Sequence, residues 1–336
     1  MADEAVARGG LTHLAFFYRG QAEYLARIQA FARDGLTHAE PLFVAVPGDR
    51  ARLVRTRLSA GYGEVAYGDM AELGRNPGRI IPAVRAFAES HPGRRVRYIC
   101  EPVWPGRSSA ETREAARHEA LINLAFSGKP VSIMCPYDAA GLAPAALLEA
   151  RFTHPAVLQN GQPFSSADFA GPGLLPPECD RPLPAPPGYA QDLGYGTDLQ
   201  PVRRLVAAHA SSVGLSPERA ADLVLAVSEI AANTLRHTPG DGQLLVWHTG
   251  QEILCQVQDR GWISDPLAGQ QRRPASERGH GLWVVNQLCD LVELRTGQAG
   301  TTVRLHMCLG EVRTWPARGQ WPQAAGTVRT LPRSPC

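Results

Sequence analysis

A carboxylate and a carboxamide lie one helical turn apart at Glu229 and Asn233, and His237 follows at the same interval. This spacing keeps the three side chains near one face of a predicted helix whose other faces are apolar. An amide oxygen is a hard ligand for Mg²⁺, and a neighbouring carboxylate can orient or deprotonate a nucleophile. A polar stripe on an amphipathic helix is more often a solvated face, so this segment alone leaves both interpretations open.

Three glycine-containing segments follow this helix along the chain. Residues 255–261 alternate like a strand and end in Asp-Arg-Gly, residues 277–288 run a Gly-x-Gly turn into a helical pattern, and residues 300–306 read as a strand opened by a glycine. Glycine turns at the start of a helix expose backbone N–H groups and therefore suit a phosphate.

In this order, the four segments resemble the N box and the three glycine boxes of the GHKL ATPases. That superfamily includes histidine kinases, gyrase, a class of heat-shock chaperones and the anti-sigma-factor serine kinases. The resemblance implies an α/β two-layer sandwich that binds ATP and Mg²⁺. It implies that Asn233 binds Mg²⁺ and that Glu229 is the general base or orienting carboxylate. The other implied nucleotide-binding residues are Asp259, Gly261, Arg278, Gly279, His280, Gly281, Leu282 and Thr302.

The resemblance places Asp259 against the adenine amino group, with Gly261 allowing the base to approach and Thr302 closing the adenine pocket. A carboxylate opposite that amine favours adenine over guanine, because guanine has an acceptor at the same position. Residues 279–281 would form the phosphate turn, and residues 263–278 the lid. Without the other segments, residues 259–261 would suit a simple β-turn equally well.

The compact arrangement is similar to the anti-sigma-factor kinases, in which one helix directly precedes the N box and the lid is short. Members of that family bind ATP and phosphorylate a serine of an anti-sigma antagonist, or sequester a sigma factor. His280 stands where that family often has arginine, so Arg278 is the alternative phosphate ligand. A histidine kinase is the third interpretation, but His209 lies on one short helix without heptads, which predicts a surface or half-buried residue.

Length and composition suggest a two-domain cytoplasmic protein. The chain has 336 residues and a formal net charge of +2, which indicates neither nucleic acid nor an acidic membrane as a partner. No apolar run is long enough to span a bilayer, and the first residues do not resemble a signal peptide. The seven cysteines are scattered, odd in number and without a Cys-x-x-Cys pair, as expected of reduced thiols.

Composition also predicts the domain boundaries. Residues 166–195 are rich in proline and glycine and predict a semi-rigid linker between domains at residues 8–165 and 196–310. Residues 311–336 contain four further prolines and predict a disordered tail.

The first domain alternates apolar strands with amphipathic helices, which predicts a doubly wound α/β sheet. It lacks the Gly-x-x-x-x-Gly-Lys-Ser/Thr phosphate loop. The pattern resembles the MEDS-type sensory domain, a RecA-like relative without the ATPase motifs that is thought to sense small ligands or partners. The resemblance is carried by His13, Phe17, Tyr18, Arg19, Tyr24, Leu25, Glu101, Pro102, Arg117, residues 120–123 and residues 135–138.

Two further site hypotheses concern strand ends in this domain. His13, Cys100, Glu101 and Cys135 carry no metal-ligand spacing, so structural cysteines are favoured over a metal site or a redox sensor. Tyr137 and Asp138 end a strand where open α/β sheets bind ligands, although a polar strand-to-loop cap explains them too.

Together these patterns predict a signalling regulator with an N-terminal sensory domain that takes an unknown small ligand. Its second domain is predicted to bind Mg·ATP and to phosphorylate a serine of an anti-sigma antagonist. The alternative is a non-catalytic, ATP-dependent binding module that sequesters a sigma factor or an antagonist. Either form is compatible with a homodimer.

Overall fold

The computed structural model describes residues 10–58, 65–159, 161–238, 240–271 and 279–310. These residues divide into two compact units, the first ending at Cys179 and the second beginning at Asp180. The predicted tail at residues 311–336 lies outside the described residues. Within the described ranges, no helix combines the length and apolar character needed to cross a bilayer.

The first unit alternates strands and helices as the sequence predicts. Its elements are β1 (Thr12–Tyr18), α1 (Gln21–Thr37), β2 (Leu42–Val46), α2 (Gly48–Leu58), β3 (Val65–Asp69), α3 (Met70–Leu73), α4 (Ile80–Glu89), β4 (Val96–Cys100), α5 (Ser109–Ala125), β5 (Val131–Asp138), α6 (Pro144–Thr153), β6 (Ala156–Gln159), β7 (Gln162–Ser165) and α7 (Pro177–Asp180). The sequence pattern stopped at β5, and the structure adds α6 and two further strands.

The strands of this unit form one sheet in the order β3-β2-β4-β5-β1-β6-β7. The pairs are parallel except β6–β7, which is antiparallel. Helices α1 and α2 pack on one face through a cluster that includes Tyr24, Ile28 and Val54. Helix α4 lies against the other face, where Tyr98 donates a hydrogen bond to Val84 O. The predicted RecA-like, doubly wound α/β fold is confirmed.

The second unit is an antiparallel sheet covered by helices. Its elements are β8 (Gln191–Tyr195), α8 (Gln200–Ser212), α9 (Pro217–His237), β9 (Gly242–His248), β10 (Glu252–Asp259), α10 (Gly281–Leu288), β11 (Leu291–Gly297) and β12 (Gly300–Cys308). The strand order is β11-β12-β10-β9-β8. Side chains of α8, α9 and α10 share one apolar core with alternate residues of the strands. This is the predicted α/β two-layer sandwich.

The proline-rich segment is more ordered than a linker. Residues 191–195 form the edge strand β8, which pairs with β9. Before it, Arg295 Nε donates to Arg181 O at 3.0 Å, and Arg304 Nη2 donates to Pro184 O at 2.5 Å. Proline lacks an N–H donor but keeps its carbonyl acceptor, so arginines of the sheet can hold an extended proline-rich chain. Composition alone does not reveal such partners.

A buried ionic group lies on the sheet face opposite the helices. His306 Nδ1 is 3.0 Å from Glu252 Oε2, and His306 Nε2 is 3.0 Å from Glu293 Oε2. Burial opposes the charge, but the two hydrogen bonds outweigh it and raise the pKa of His306 to about 9. The imidazolium therefore donates from both ring nitrogens.

We expect this group to make stability depend on pH. Because the pKa of His306 is higher in the folded chain than the usual 6.5, its contribution is complete below pH 6.5 and is lost as the pH rises through 9. The free energy of unfolding should fall by on the order of 2–3 kcal/mol across that interval. Urea titrations of the wild type and of His306→Gln at several pH values measure it. A variant with the same pH dependence as the wild type would contradict the assignment.

Candidate functional site

The site residues of the second unit begin on α9, whose start is capped by Ser216. Its apolar residues face the core, including Val227, Ile230 and Ala231. Glu229 and Asn233 are half-buried on the neighbouring face. Asn233 Oδ1 accepts a hydrogen bond from Arg236 Nη1 at 3.0 Å, so a cationic head group lies beside the predicted Mg²⁺ ligand. His237 is exposed at the end of the helix.

Gly281 brings the second glycine segment against these two side chains. A Cβ on Gly281 would lie 3.0 Å from Glu229 Oε2 and 3.1 Å from Asn233 Nδ2. Residues about 50 positions apart in the chain are therefore in van der Waals contact. A larger side chain at this glycine would push the carboxylate or the amide from its position.

The helix that begins at Gly281 presents its N-terminus to this region. Gly279 has φ +109°, a backbone conformation that favours glycine, and His280 is the N-terminal flanking residue. No side chain of the described residues caps this end of α10. Its first N–H groups lack intrahelical acceptors, and the helix dipole favours an anion there. Leu282 packs its side chain against the core, so only its backbone N–H could serve a phosphate.

The start of the predicted lid is anchored to the same helix. Asn286 Nδ2 donates to Gly269 O at 3.3 Å, and a Cβ on Gly269 would lie 3.0 Å from Leu282 Cβ. Trp262 at the beginning of this segment is 72% exposed. Arg278, the predicted alternative phosphate ligand, lies outside the described residues.

Asp259 ends β10 and is held by two donors. Its Oδ2 accepts from Thr234 Oγ1 at 2.8 Å, and its Oδ1 accepts from Gly261 N at 2.7 Å. Thr234 in turn accepts from the hydroxyl of Tyr195 at 3.0 Å. Burial and the Asp259 carboxylate raise the pKa of Tyr195 to about 12, so its hydroxyl stays a donor at neutral pH. These bonds fix the carboxylate but leave lone pairs for another donor.

The glycines next to Asp259 are required by close packing. A Cβ on Gly261 would lie 2.3 Å from Thr238 Cγ2. Gly300 has φ +116°, and its Cβ would lie 2.2 Å from Asp259 O. The family resemblance explains Gly261 by the close approach of a base. The contact with Thr238 already requires a glycine at this position.

The structure places Thr302 away from Asp259. Thr301 is the residue opposite Asp259 in the β10–β12 pair, and Thr302 is opposite Gln258. Side chains alternate across a strand, so Thr302 points to the other face of the sheet. Thr301 instead donates from Oγ1 to Gly261 O at 2.8 Å. Two successive threonines cannot be told apart by spacing, and the strand register shows that Thr301 is the one opposite Asp259.

The candidate site has two chemically different parts, one around Asp259 and one around Glu229 and Asn233. Asp259 offers an acceptor at one end, and Glu229, Asn233 and the start of α10 offer a carboxylate, an amide oxygen and N–H donors at the other. Such a combination suits a ligand with a hydrogen-bond donor at one end and an anionic group with its metal ion at the other.

Comparison with known families agrees with this geometry. Residues 196–307 match the histidine kinase-like ATPase domain, and residues 12–155 match the MEDS family, the methanogen/methylotroph, DcmR sensory domain. The chain joins a MEDS domain to a histidine kinase-like, GHKL-type ATPase domain.

Comparisons of the chain with individual proteins give weaker matches. No curated protein matches the chain. A crystal structure of the RsbU and RsbW domains of Rv1364c from Mycobacterium tuberculosis matches with 20% identity and a TM-score of 0.26. The match covers 37% of this chain and 34% of that chain, so it spans about a third of the length of that protein.

The histidine considered for a histidine kinase is an ordinary helix residue in the ATPase domain. His209 on α8 is half-buried, and its Nε2 lies 3.2 Å from Nδ1 of His248. Partial burial, and to a smaller extent the nearby His248, lowers the pKa of His209. The helix ends at Ser212, and α9 follows it directly in the same domain. This is the surface or half-buried residue that the sequence predicts.

In the MEDS domain, the four residues weighed as metal ligands do not all meet: Cys135 Sγ lies 3.5 Å from His13 Nε2, whereas Glu101 has other partners. Glu101 is buried and accepts from the hydroxyls of Tyr18 at 3.1 Å and Tyr24 at 3.0 Å, and it pairs with Arg50. Burial raises the pKa of Tyr18 above its usual range, so its hydroxyl remains a donor. This network joins Tyr18, at the end of β1, to Glu101, directly after β4, at the carboxyl edge of the parallel strands.

Tyr137 and Asp138, the predicted ligand contacts, have structural partners. Tyr137 is buried, with its ring 5.7 Å from that of Phe17. Asp138 Oδ1 accepts from the backbone N–H groups of Ala140 and Gly141, which is a strand-to-loop cap. Beside them lies a cleft of about 340 Å³, lined by Phe17, Arg19, Glu23, Ala139, Leu147 and Arg151.

Proposed function

We propose that the ATPase domain binds Mg·ATP. The observation that carries the proposal is the contact of Gly281 with both Glu229 and Asn233, because it joins the helix N-terminus to the acid–amide pair. The adenine would lie at Asp259, which can accept a hydrogen bond from its amino group. The phosphates would lie at the start of α10, with Mg²⁺ on Asn233 Oδ1.

The hydrogen bond from Arg236 to Asn233 is compatible with Mg²⁺ on the same amide oxygen. An amide oxygen has two lone pairs, so Oδ1 can accept from Arg236 and bind Mg²⁺ together. The guanidinium would then lie close to the phosphates and share in neutralising their charge. Arg236 would then supply a positive charge like that of the arginine that often stands at the position of His280 in the anti-sigma-factor kinases.

The domain is further proposed to transfer the γ-phosphoryl group to a serine of a partner protein in the cytoplasm. Phosphoryl transfer requires mainly positioning and electrostatic stabilisation, which Mg²⁺, the α10 N-terminus and Arg236 would provide. Glu229 would orient or deprotonate the serine hydroxyl. The order and compact spacing of the four segments support an anti-sigma-type regulator, with an anti-sigma antagonist as the acceptor.

The product of the reaction separates the candidate functions. Incubation of the full-length chain with γ-labelled ATP and an acceptor protein should yield acid-stable phosphoserine on the acceptor. Complex formation that depends on ATP, without labelling, would favour the binding module that sequesters a sigma factor or an antagonist. Acid-labile phosphate on the chain itself would indicate a histidine kinase.

Asp259→Asn is expected to weaken ATP binding by roughly ten- to a hundred-fold and to reduce the preference for ATP over GTP. The amide would present a donor to the adenine amino group or lose its bond to Gly261 N or Thr234. Calorimetry with both nucleotides and Mg²⁺ measures the two affinities.

Asp192→Asn is the matched control, because Asp192 lies on β8 of the same sheet and both its carboxylate oxygens accept exposed hydrogen bonds from Gln243 Nε2. It should bind ATP like the wild type. Equal ATP affinity and selectivity in Asp259→Asn and the wild type would remove the adenine site from this position.

For the MEDS domain, we place a small ligand in the cleft between β1 and α6. Arg19 and Arg151 line it beside one carboxylate, Glu23. The two guanidinium groups outnumber the one carboxylate, so the lining carries a net positive charge. Glu23 itself accepts a hydrogen bond from the backbone N–H of Arg19 at 2.7 Å. An anionic or strongly polar small molecule fits this lining best.

A further inference from the structure

Four ligand-type side chains meet inside the MEDS domain. His13 on β1, Glu119 on α5, Cys135 on β5 and His154 after α6 place one donor atom each within 4.8 Å of one another. Each residue is at most 1% exposed. We call them the His-Glu-Cys-His cluster.

Three of the distances within the cluster are those expected between ligands around one small ion. Glu119 Oε2 lies 2.9 Å from His13 Nε2, 3.4 Å from His154 Nε2 and 3.5 Å from Cys135 Sγ. Cys135 Sγ lies 3.5 Å from His13 Nε2. Tetrahedral Zn²⁺ with ordinary Zn–N and Zn–S bonds separates neighbouring ligand atoms by about 3.3–3.6 Å. To take up an ion, His13 and Glu119 would move apart by about 0.4 Å, and no two of the four ligand atoms start more than 4.8 Å apart.

The outer hydrogen bonds determine which ring nitrogens face the centre. Asn123 Nδ2 donates to Thr153 O at 2.7 Å, which turns Asn123 Oδ1 towards His13 Nδ1 at 3.0 Å. His154 Nδ1 lies 2.7 Å from Ala150 O. Both histidines therefore carry their proton on Nδ1 when neutral and direct the Nε2 lone pair inward. Metal-binding histidines are commonly oriented by such bonds to a carbonyl oxygen.

A proton alone does not satisfy this centre. Two inward lone pairs and a carboxylate face one another, and the Cys135 thiol supplies one hydrogen. One added proton would join His13 to Glu119. His154 Nε2 would then stay 3.4 Å from the same Glu119 oxygen, and neither it nor Glu119 Oε1, both buried, has a hydrogen-bond partner among the described residues. Buried acceptors without a donor are costly, and one four-coordinate cation would serve both imidazoles, the carboxylate and the sulfur together.

From this geometry we infer that the MEDS domain holds a zinc-class divalent cation bound by His13, Glu119, Cys135 and His154. Thiolate, imidazole and carboxylate together suit Zn²⁺ better than Mg²⁺ or Ca²⁺, which prefer oxygen ligands alone. On binding, Cys135 releases its thiol proton to solvent and forms the Zn–S bond, while the other three residues bind through existing lone pairs. The charges of the Glu119 carboxylate and the Cys135 thiolate then neutralise the dipositive ion, while the two histidines bind as neutral ligands. A buried centre without net charge avoids the cost of burying an unpaired ion.

The four protein ligands leave no open position, which is typical of a structural rather than a catalytic site. The ion would tie β1, β5, α5 and the end of α6 together. The same α6 supplies Leu147 and Arg151 to the cleft, and Tyr137 links the His154 ring to Phe17 through two ring contacts. The ion would thereby hold one wall of the cleft in place.

The test uses the full-length chain without nucleotide. After chelation, addition of Zn²⁺ should restore one ion per chain by elemental analysis and raise the unfolding midpoint of the MEDS domain by roughly 10 °C. Co²⁺ in place of Zn²⁺ should give the intense visible bands of tetrahedral coordination and a thiolate-to-cobalt charge-transfer band. Absence of bound Zn²⁺ and of a shift in the midpoint would overturn the proposal.

Variants locate the site. Cys135→Ser and His154→Gln should each lose the ion, and Cys135→Ser should lose the charge-transfer band. Cys100→Ser is the matched control, because Cys100 is equally buried on the adjacent strand but lies outside the cluster. Zinc retained at the wild-type level by both Cys135→Ser and His154→Gln would contradict the site. If these variants do not fold, the cobalt spectrum of the wild type decides, since its lack of a thiolate band would exclude Cys135 as a ligand.

Discussion

Glu229→Gln is expected to slow phosphoryl transfer by about a hundred- to ten-thousand-fold while ATP affinity stays close to that of the wild type. The amide has nearly the shape of the carboxylate, so the contact with Gly281 is kept. It can neither accept a proton nor attract the hydroxyl of the acceptor as strongly. Transfer from γ-labelled ATP, with a serine-containing acceptor protein and with water, measures the rate, and calorimetry measures binding.

Glu218→Gln is the matched control, because Glu218 lies on the same helix but is exposed in its first turn. It should leave both the rate and the affinity unchanged. Normal turnover by Glu229→Gln would mean that Glu229 is a helix-face residue without a catalytic role. Loss of ATP binding together with the rate would instead show that it positions the nucleotide.

Asn233→Ala is expected to weaken Mg·ATP binding by roughly a hundred-fold or more and to abolish the dependence of affinity on Mg²⁺. The substitution removes the amide oxygen that would bind the ion and leaves Arg236 without its acceptor. Titrations with ATP at several Mg²⁺ concentrations separate the loss of metal from the loss of nucleotide. A wild-type dependence on Mg²⁺ in the variant would refute Asn233 as the ligand.

Ser228→Ala provides the comparison on the same helix. Ser228 donates to Val224 O and accepts from Arg203 Nε, so its loss perturbs α9 without touching Asn233. Normal Mg²⁺ dependence is expected in this variant. Similar losses in Ser228→Ala and Asn233→Ala would point to general destabilisation of the helix rather than to a metal ligand.

Failure of the nucleotide predictions would leave the zinc proposal untouched. The cluster belongs to the first unit and the nucleotide site to the second, and zinc is measured without ATP. Conversely, a MEDS domain without zinc would not alter the expected effects of Glu229→Gln and Asn233→Ala.

Much of the fold follows from local pattern. Apolar alternation and helical periodicity predicted the alternating strands and helices of the first domain and the helix that carries Glu229 and Asn233, because a buried face repeats with the period of its own element. Glycine positions also carry local information. Gly279 and Gly300 have positive φ, and the sequence marks both as the start of a turn or strand.

Contacts between distant segments required the folded chain. Spacing suggested Thr302, whereas the register of β12 with β10 puts Thr301 opposite Asp259. Composition suggested a linker through residue 195, whereas pairing with β9 makes residues 191–195 a strand. Strand register and edge pairing depend on the partner strand, which no local pattern contains.

Periodic patterns and contiguous motifs predicted the alternation of elements in the first domain, the two domain types and the acid–amide spacing on α9. Which side chains share a site became visible only in the folded chain. His13 and Glu119 are 106 residues apart, yet their ring nitrogen and carboxylate oxygen lie 2.9 Å apart. A sheet with helices on its faces brings together residues from different crossovers, and the sequence separations of such residues carry no metal-binding signature.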